Sequence, residues 1–348
     1  MNADRTPSRA DPLIEIIDLK THFFTDEGVV KAIDGVTFDI PRGKTLCVVG
    51  ESGCGKSVTG RSILRIVDRP GRIVEGQILF HPEPGETIDI AQLSPMSPRM
   101  RAIRGAQIGM IFQEPMTSLG PIQTIGKQIG ETIRIHHGVS KKEARDRTIE
   151  LLRRVGIPRP ETRLNAYPFQ LSGGMRQRAM IALGLSCGPK LLIADEPTTA
   201  LDVTTQAIIL DLIKELQEET GMAVMFITHD LGVVAEIADE VVVTYLGRVA
   251  ERGTVDNIFN APKHPYTKAL LRSIPRLGGS REPLESIRGM VPSPFRRPNG
   301  CTFHPRCEER IAGRCNVEDP QLYPQPDGSV VRCFLHERAP EKIEEAAL

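Results

Sequence analysis

At 348 residues, 40% hydrophobic and 25% charged, the chain is long enough for two domains and apolar enough for a sizeable core, mostly aliphatic because aromatics make up 4% and Trp is absent. Lys plus Arg equal Asp plus Glu at 44 each, a balance that argues for no nucleic-acid partner. No apolar run reaches the roughly 18 to 20 residues of a membrane-spanning helix, and residues 1–12 lack the apolar stretch of a secretory signal, so a cytoplasmic chain with reduced thiols is expected.

In chain order, Leu13 to Leu19 and Val36 to Ile40 read as strands, the second with Val36, Phe38 and Ile40 at period two. Leu46 to Val49 is a continuous apolar run ending in Gly50, as in a strand buried on both faces. Ile108 to Phe112, Leu191 to Ala194, Val224 to Thr228 and Val241 to Tyr245 have the same character. Helices are expected over Ser57 to Ile66, from Ser140 (with Glu143, a capping-box pattern) to Gly156, and from about Thr204 to Glu219 with Ile208, Leu212 and Leu216 inward. This alternation predicts an α/β fold with a largely parallel sheet, and residues 114–187 read as a helical subdomain inserted between two strands. After about Ala261 the composition changes: twelve of the 27 Pro follow it, which favours turns over long regular elements. The expected organisation is a disordered N-terminus (1–12), an α/β domain (13–261) and a Pro- and Cys-rich C-terminal extension (262–348).

Gly50-Glu51-Ser52-Gly53-Cys54-Gly55-Lys56-Ser57 matches the P-loop pattern at every fixed position, after a buried strand and before a helix. Glycines let successive backbone N–H groups turn inward around an anion, and the helix N-terminus adds partial positive charge. Lys56 supplies a full charge to the β- and γ-phosphates of ATP, and the Ser57 hydroxyl suits Mg²⁺. Leu191 to Glu196 is an apolar strand ending in two carboxylates, the Walker-B pattern. Asp195 is delivered to the metal, and Glu196 is placed to polarise a water attacking the γ-phosphate.

Leu171-Ser172-Gly173-Gly174-Met175-Arg176-Gln177-Arg178 resembles the LSGGQ signature of ABC ATPases, with Met175 where many members have Gln. Two exposed glycines, a hydroxyl and a helix start make a second anion site. The resemblance implies a P-loop NTPase of ABC ATPase type in which two such domains pair head to tail, so that Ser172, Gly173 and Gly174 cap the nucleotide held by the partner. In the same order, Gln113 matches the Q-loop glutamine, which contacts Mg²⁺ and the attacking water. Thr199-Ala200-Leu201-Asp202 matches the D-loop, and His229 matches the switch histidine that contacts the γ-phosphate. Phe23 or Phe24 matches the aromatic that stacks on adenine, Phe23 being taken first.

Beyond about residue 260, His264-Pro265-Tyr266-Thr267-Lys268-Ala269-Leu270-Leu271 and Gly300-Cys301-Thr302-Phe303-His304-Pro305-Arg306-Cys307 resemble the dipeptide/oligopeptide/nickel importer branch. Phe112-Gln113-Glu114-Pro115-Met116-Thr117-Ser118-Leu119 does so too, although Gly120-Pro121 replaces the usual Asn-Pro. Cys301, Cys307, Cys315 and Cys333 stand as C-x5-C-x7-C-x17-C, four thiolates in one Pro-rich stretch, the right number for a [4Fe–4S] cluster or a tetrahedral Zn²⁺. Members of this branch carry iron–sulfur clusters, so the resemblance implies [4Fe–4S]. Zn²⁺, with His304 and His336 at hand, and unmetallated thiols are the alternatives. Cys47 reads as a small core residue, and Cys54 and Cys187 are given no chemical role.

The resemblance implies a five-part machine at the cytoplasmic face of a bacterial inner membrane. Its parts are this chain, a second ABC ATPase subunit (a heterodimer), two transmembrane permeases and an extracytoplasmic solute-binding protein. Related systems take peptides, nickel, oligosaccharides or opine-like compounds. Exporter ATPases are often fused to membrane spans, translation ABC proteins usually carry two cassettes, and DNA-repair ABC proteins a long coiled-coil insertion. None of those features is in the sequence.

Overall fold

A computed structural model describes residues 12–114, 118–199, 201–273 and 287–337. The expectation for the N-terminus therefore lies outside the described residues, Pro12 apart. The chain opens on a long hairpin, β1 (Pro12–Thr25) and β2 (Gly28–Pro41), followed by β3 (Thr45–Val49), α1 (Lys56–Ile63), β4 (Gly71–Phe80) and β5 (Ile88–Asp89). Strands β2-β1-β4-β5, in that order, form an antiparallel sheet. The two expected early strands are thus parts of one hairpin. Val36, Phe38 and Ile40 are buried as the period of two requires. Strand β4 escaped the sequence reading because its alternation is broken at Gly76, where φ is +95° and a Cβ would lie 2.4 Å from the Asp18 carbonyl oxygen.

The second sheet carries the site. After α2 (Pro98–Ile103) and β6 (Ile108–Ile111) come α3 (Ile125–His137), α4 (Lys141–Arg154), α5 (Pro160–Arg163) and α6 (Gly173–Leu185). Then follow β7 (Leu191–Asp195), α7 (Val203–Thr220), β8 (Ala223–Ile227), α8 (Leu231–Ile237), β9 (Glu240–Tyr245) and β10 (Arg248–Thr254). With β11 (Tyr323–Pro324) and β12 (Val330–Val331) from the C-terminal segment, the order is β11-β12-β10-β9-β3-β8-β7-β6. Neighbours from β9 to β6 pair in parallel, while β10 pairs antiparallel with β9. Strand β3 is buried along its length. Its alternate residues feed two cores: Cys47 and Val49 join the helices, Leu46 and Val48 join the antiparallel sheet. That two-sided burial is why these strands read as unbroken apolar runs.

The inserted helices form as expected from their caps. Ser140 Oγ accepts the Glu143 N–H at 3.2 Å, but the Glu143 carboxylate turns to Arg147 (2.6 Å) instead of closing the capping box. On α4, Ala144, Thr148 and Leu152 are buried. On α7 the buried face is Ile209, Leu210, Leu212 and Ile213. Ile208, expected inward, is 47% exposed, because the core-facing stripe runs one residue later.

The C-terminal segment continues through α9 (Val255–Asn260) and α10 (Pro265–Arg272) to turns, with β11 (Tyr323–Pro324) and β12 (Val330–Val331). Strand β12 pairs with β10, so the extension adds strands to the main sheet. Phe303 belongs to the main core, with Cys301 and Cys307 packed against it. Arg252, on β10, bridges Glu240 (2.9 Å) and Asp39, which ties this edge to β2. Among the described residues, no helix is long and apolar enough to cross a membrane.

Candidate active site

The carboxyl ends of β3, β7 and β8 lie together on one edge of the parallel sheet. From β3, the loop Gly50–Gly55 leads into α1. Gly50 has φ +150°, and a Cβ there would lie 2.2 Å from the Thr244 carbonyl oxygen. Gly55 has φ +94°, with the Ala32 carbonyl oxygen 2.3 Å from a Cβ position. Both positions therefore require glycine for close backbone approach as well as for φ. No side chain caps α1, which leaves its first-turn N–H groups for an anion. Lys56 Nζ donates to the Gly50 carbonyl (2.7 Å) and the Glu51 carbonyl (3.1 Å). Cys54 is buried, its Sγ 3.1 Å from Thr244 Oγ1. Ser52 and Gly53 are exposed on the outer side of the loop, and a Cβ at Gly53 would meet nothing within 4 Å.

From β7, Asp195 is 1% exposed and accepts the Ser57 hydroxyl at 2.8 Å. Burial first, and the neighbouring Glu196 charge, raise its pKa, while the Ser57 hydrogen bond and the Arg61 and Lys56 charges oppose the rise. Glu196 follows in the left-handed region at φ 47°, a strained conformation for a side-chain-bearing residue at a strand end. Three side chains converge on its carboxylate. Gln113 Nε2 and Thr199 Oγ1 each donate to Oε2 at 3.1 Å, and His229 Nδ1 lies 3.1 Å from Oε1. Gln113, Glu196 and His229, picked from separate strand ends in the sequence, are thus brought together. Thr199 was expected only as part of the D-loop, whose Ala200 lies outside the described residues.

Ser172 Oγ caps α6 by accepting the Met175 N–H at 3.3 Å. Ser172 and Gly173 are exposed, Gly174 half-buried, and a Cβ at Gly173 would meet nothing within 4 Å. This second glycine turn faces outward. Its helix reaches the turn after Glu196 through buried Gln177, whose Nε2 donates to the Pro197 carbonyl. Phe23 packs against the Gly71 backbone, where a Cβ would stand 2.6 Å from its ring. Phe24 is exposed, with the Arg72 guanidinium 4.3 Å above its ring.

A model of the ABC transporter family matches residues 33–199, and a model described as the oligopeptide/dipeptide transporter C-terminal region matches residues 250–315. The oligopeptide transport ATP-binding protein AppD of Bacillus subtilis (strain 168) is 49% identical over 326 residues, covering 93% of this chain and 97% of that protein. The chain belongs to the ABC transporter ATP-binding proteins. The dipeptide transport ATP-binding protein DppD of Escherichia coli (strain K12) is 46% identical over 92% of this chain and 96% of its own length. Among solved structures, the dimeric bacterial ABC transporter cassette MJ0796 covers 70% of this chain and 98% of its own with a TM-score of 0.62 at 28% identity. The same cassette in a post-hydrolysis dimer with ADP and Pi matches with the same TM-score at 27% identity. This ABC ATPase thus shares the cassette fold, and ATP and Mg²⁺ are the substrate and ion expected of its family.

The cysteines of the extension occupy one neighbourhood. Burial raises the thiol pKa of Cys301, pushes Cys307 up to about 11 and pushes Cys333 up to about 12. Charges on other cysteines of the four act on each in the same direction. Backbone N–H groups of Phe303 and His304 are directed at Cys301, of Glu309 at Cys307 and of Leu335 at Cys333. The Ile311 N–H donates to Cys315 Sγ at 3.3 Å. Among the described residues, however, no group of three or more His, Cys, Asp or Glu side chains is drawn together as a metal-ion site.

The sequence reading missed Tyr266 and Arg306 as neighbours of the P-loop. The Glu51 N–H donates to the Tyr266 hydroxyl at 2.9 Å, and Arg306 grips the Glu51 carboxylate. The available signal was Glu51 itself: a carboxylate in an anion-binding loop calls for a cation from elsewhere in the chain.

Proposed function

We propose that this chain binds and hydrolyses ATP to power import of di- or oligopeptides through an ABC transporter. The observation that carries the reading is the convergence of Gln113, Thr199 and His229 on Glu196, one residue beyond the Ser57–Asp195 contact. Residues 13–261 form the ATPase domain, 114–187 its helical subdomain and 262–348 the extension.

In the proposed cycle, the loop of Gly50, Glu51, Ser52, Gly53, Cys54 and Gly55 wraps the phosphates with main-chain N–H groups other than that of Glu51, which Tyr266 holds, and Lys56 leaves its carbonyl partners for the β- and γ-oxygens. Phe23 or Phe24 packs on adenine. Ser57, Asp195 and Gln113 would hold Mg²⁺, which supplies charge neutralisation at the β- and γ-oxygens. Glu196 accepts a proton from the attacking water, and His229 contacts the γ-phosphate. Ser172, Gly173 and Gly174 cap the nucleotide of a second ABC ATPase subunit, so hydrolysis opens a head-to-tail dimer. That movement drives two permeases loaded by an extracytoplasmic solute-binding protein, with this chain peripheral on the cytoplasmic face of the inner membrane. The relatives named for oligopeptide and dipeptide transport support the cargo class.

Cys301, Cys307, Cys315 and Cys333 would hold a [4Fe–4S] cluster. Four mutually interacting thiols, each with a backbone N–H directed at it, are a donor set of the kind that holds such a cluster. The group would supply a staple for a segment poor in apolar residues.

The test is ATP hydrolysis by the complex co-expressed with its permeases, on addition of binding protein and candidate solutes. Stimulation by short peptides supports the peptide reading. Stimulation by a sugar, opine or nickel complex alone keeps the mechanism and overturns the cargo.

A further inference from the structure

Glu51 is the one acidic residue in a loop built to receive a polyanion. Left alone, its carboxylate would repel the phosphates. Arg306 meets it with both terminal nitrogens, Nη1 to Oε2 at 2.6 Å and Nη2 to Oε1 at 3.1 Å. The guanidinium is itself fixed, its side chain 4% exposed and its Nε donating to the Arg288 carbonyl at 3.0 Å. The same residue is held through its backbone. The Glu51 N–H donates to Tyr266, which is fully buried and packed against Tyr245 and Phe303 at ring distances of 4.7 and 5.3 Å. Tyr266 and Arg306 both lie in the C-terminal extension, one on α10, the other beside Cys307.

We propose that Arg306 and Tyr266 are positioning residues for the P-loop: they clamp Glu51, cancel its charge and set the loop in its nucleotide-receiving form. The extension is thereby part of the nucleotide site, though neither residue touches ATP. This inference rests on the reading of residues 50–57 as that site.

Full-length wild type, Arg306→Gln, Tyr266→Phe, Glu51→Gln and the Arg306→Gln/Glu51→Gln pair would be titrated with ATP at equilibrium, with nucleotide-free thermal melts alongside. Loss of one partner of a shielded charge pair should weaken ATP binding about tenfold in Arg306→Gln. Loss of the single hydroxyl in Tyr266→Phe should weaken it about fivefold. The double variant should recover most of the affinity, because the stranded carboxylate is the liability. A purely structural arginine would give no such rescue. In steady state KM should rise with kcat held within about twofold, the pattern of a lost binding contribution. Unchanged affinity in Tyr266→Phe, whose ring packing survives even where Arg306→Gln fails to fold, overturns the clamp. So does a double variant worse than Arg306→Gln. A wild-type chain that binds no ATP removes the P-loop reading as well, whereas wild-type binding with indifferent variants removes this inference alone.

Discussion

The Ser57 hydroxyl meets Asp195 Oδ1 at 2.8 Å, joining the first turn of α1 to the end of β7 across 138 residues of chain. On the proposed reading both oxygens would ligate a divalent cation bound to ATP phosphates, and Asp195 is buried enough that its charge is poorly solvated without one. A chelator should therefore reduce hydrolysis to background, with Mg²⁺ restoring it in wild type. Asp195→Asn should gain no more than a few per cent from added Mg²⁺. Phosphate release with and without the metal makes the comparison, and full restoration in Asp195→Asn would remove Asp195 from the metal site.

Glu196 holds its position through three side-chain partners, so replacing its carboxylate with an amide changes chemistry more than geometry. General-base assistance is typically worth about 10²- to 10⁴-fold, roughly 3 to 5 kcal/mol. Glu196→Gln should lose turnover in that range while its ATP affinity stays within about threefold of wild type. Lys56→Ala should show the converse, weak binding first. Single-turnover hydrolysis paired with equilibrium titration separates the two, and near wild-type turnover in Glu196→Gln would sink the assignment.

Much of this site was legible because its parts sit at the ends of two-sided buried strands, where apolar runs such as Leu46 to Val49 stop abruptly at glycines or carboxylates. Local chemistry marked Lys56, Ser57, Asp195 and Glu196, while Gln113, Ser172 and His229 came from resemblance. The contacts that depend on long-range approach had no local mark. Arg306 reaches Glu51 across 255 residues, and β10 joins the sheet although its buried Glu251 and Arg252 make it read as a polar segment. Glu251 accepts the Lys263 and His264 N–H groups, contacts that no periodicity reveals.

The signature turn is exposed and carries open space at Gly173, so its service to a partner is testable without disturbing its own fold. Gly174→Asp adds negative charge where a phosphate is expected. Its only near neighbour for a Cβ is the Leu201 side chain at 3.7 Å, an ordinary contact. The variant should bind ATP as a single subunit within about twofold of wild type yet fail to form an ATP-dependent pair with the proposed second ATPase subunit. Light scattering of the mixed subunits in a Glu196→Gln background reads this directly, and undiminished pairing would count against the trans cap.

His264 gives the fold an acid limit. Its Nδ1 accepts the Tyr266 N–H at 3.0 Å at the start of α10, and burial lowers its pKa from 6.5 to about 3, with His336, Arg332 and Lys268 charges acting in the same direction. Between those two values the unfolded chain binds a proton that the folded chain refuses. Its contribution to stability is therefore complete above about pH 6.5 and falls as pH drops toward 3, by up to about 1.4 kcal/mol per pH unit. His264→Asn keeps an acceptor near the Nδ1 position and does not titrate. Melting temperatures from pH 7 downward should converge or cross for the two proteins, and parallel curves would acquit His264.

The four cysteines yield the last expectation. Backbone N–H groups near the sulfurs oppose the burial that raises the thiol pKa values of Cys301, Cys307 and Cys333, and Arg306 is the chain neighbour of Cys307. Protein purified without oxygen should contain about four iron and about four acid-labile sulfide per chain. Cys307→Ala should lose most of both and weaken ATP binding in the same sense as Arg306→Gln, because the clamp on Glu51 hangs from the segment that the cysteines organise. About one zinc and no sulfide would replace the cluster with a tetrahedral ion. Metal-free wild type with full ATP affinity would leave the extension held by its strands and aromatic packing alone.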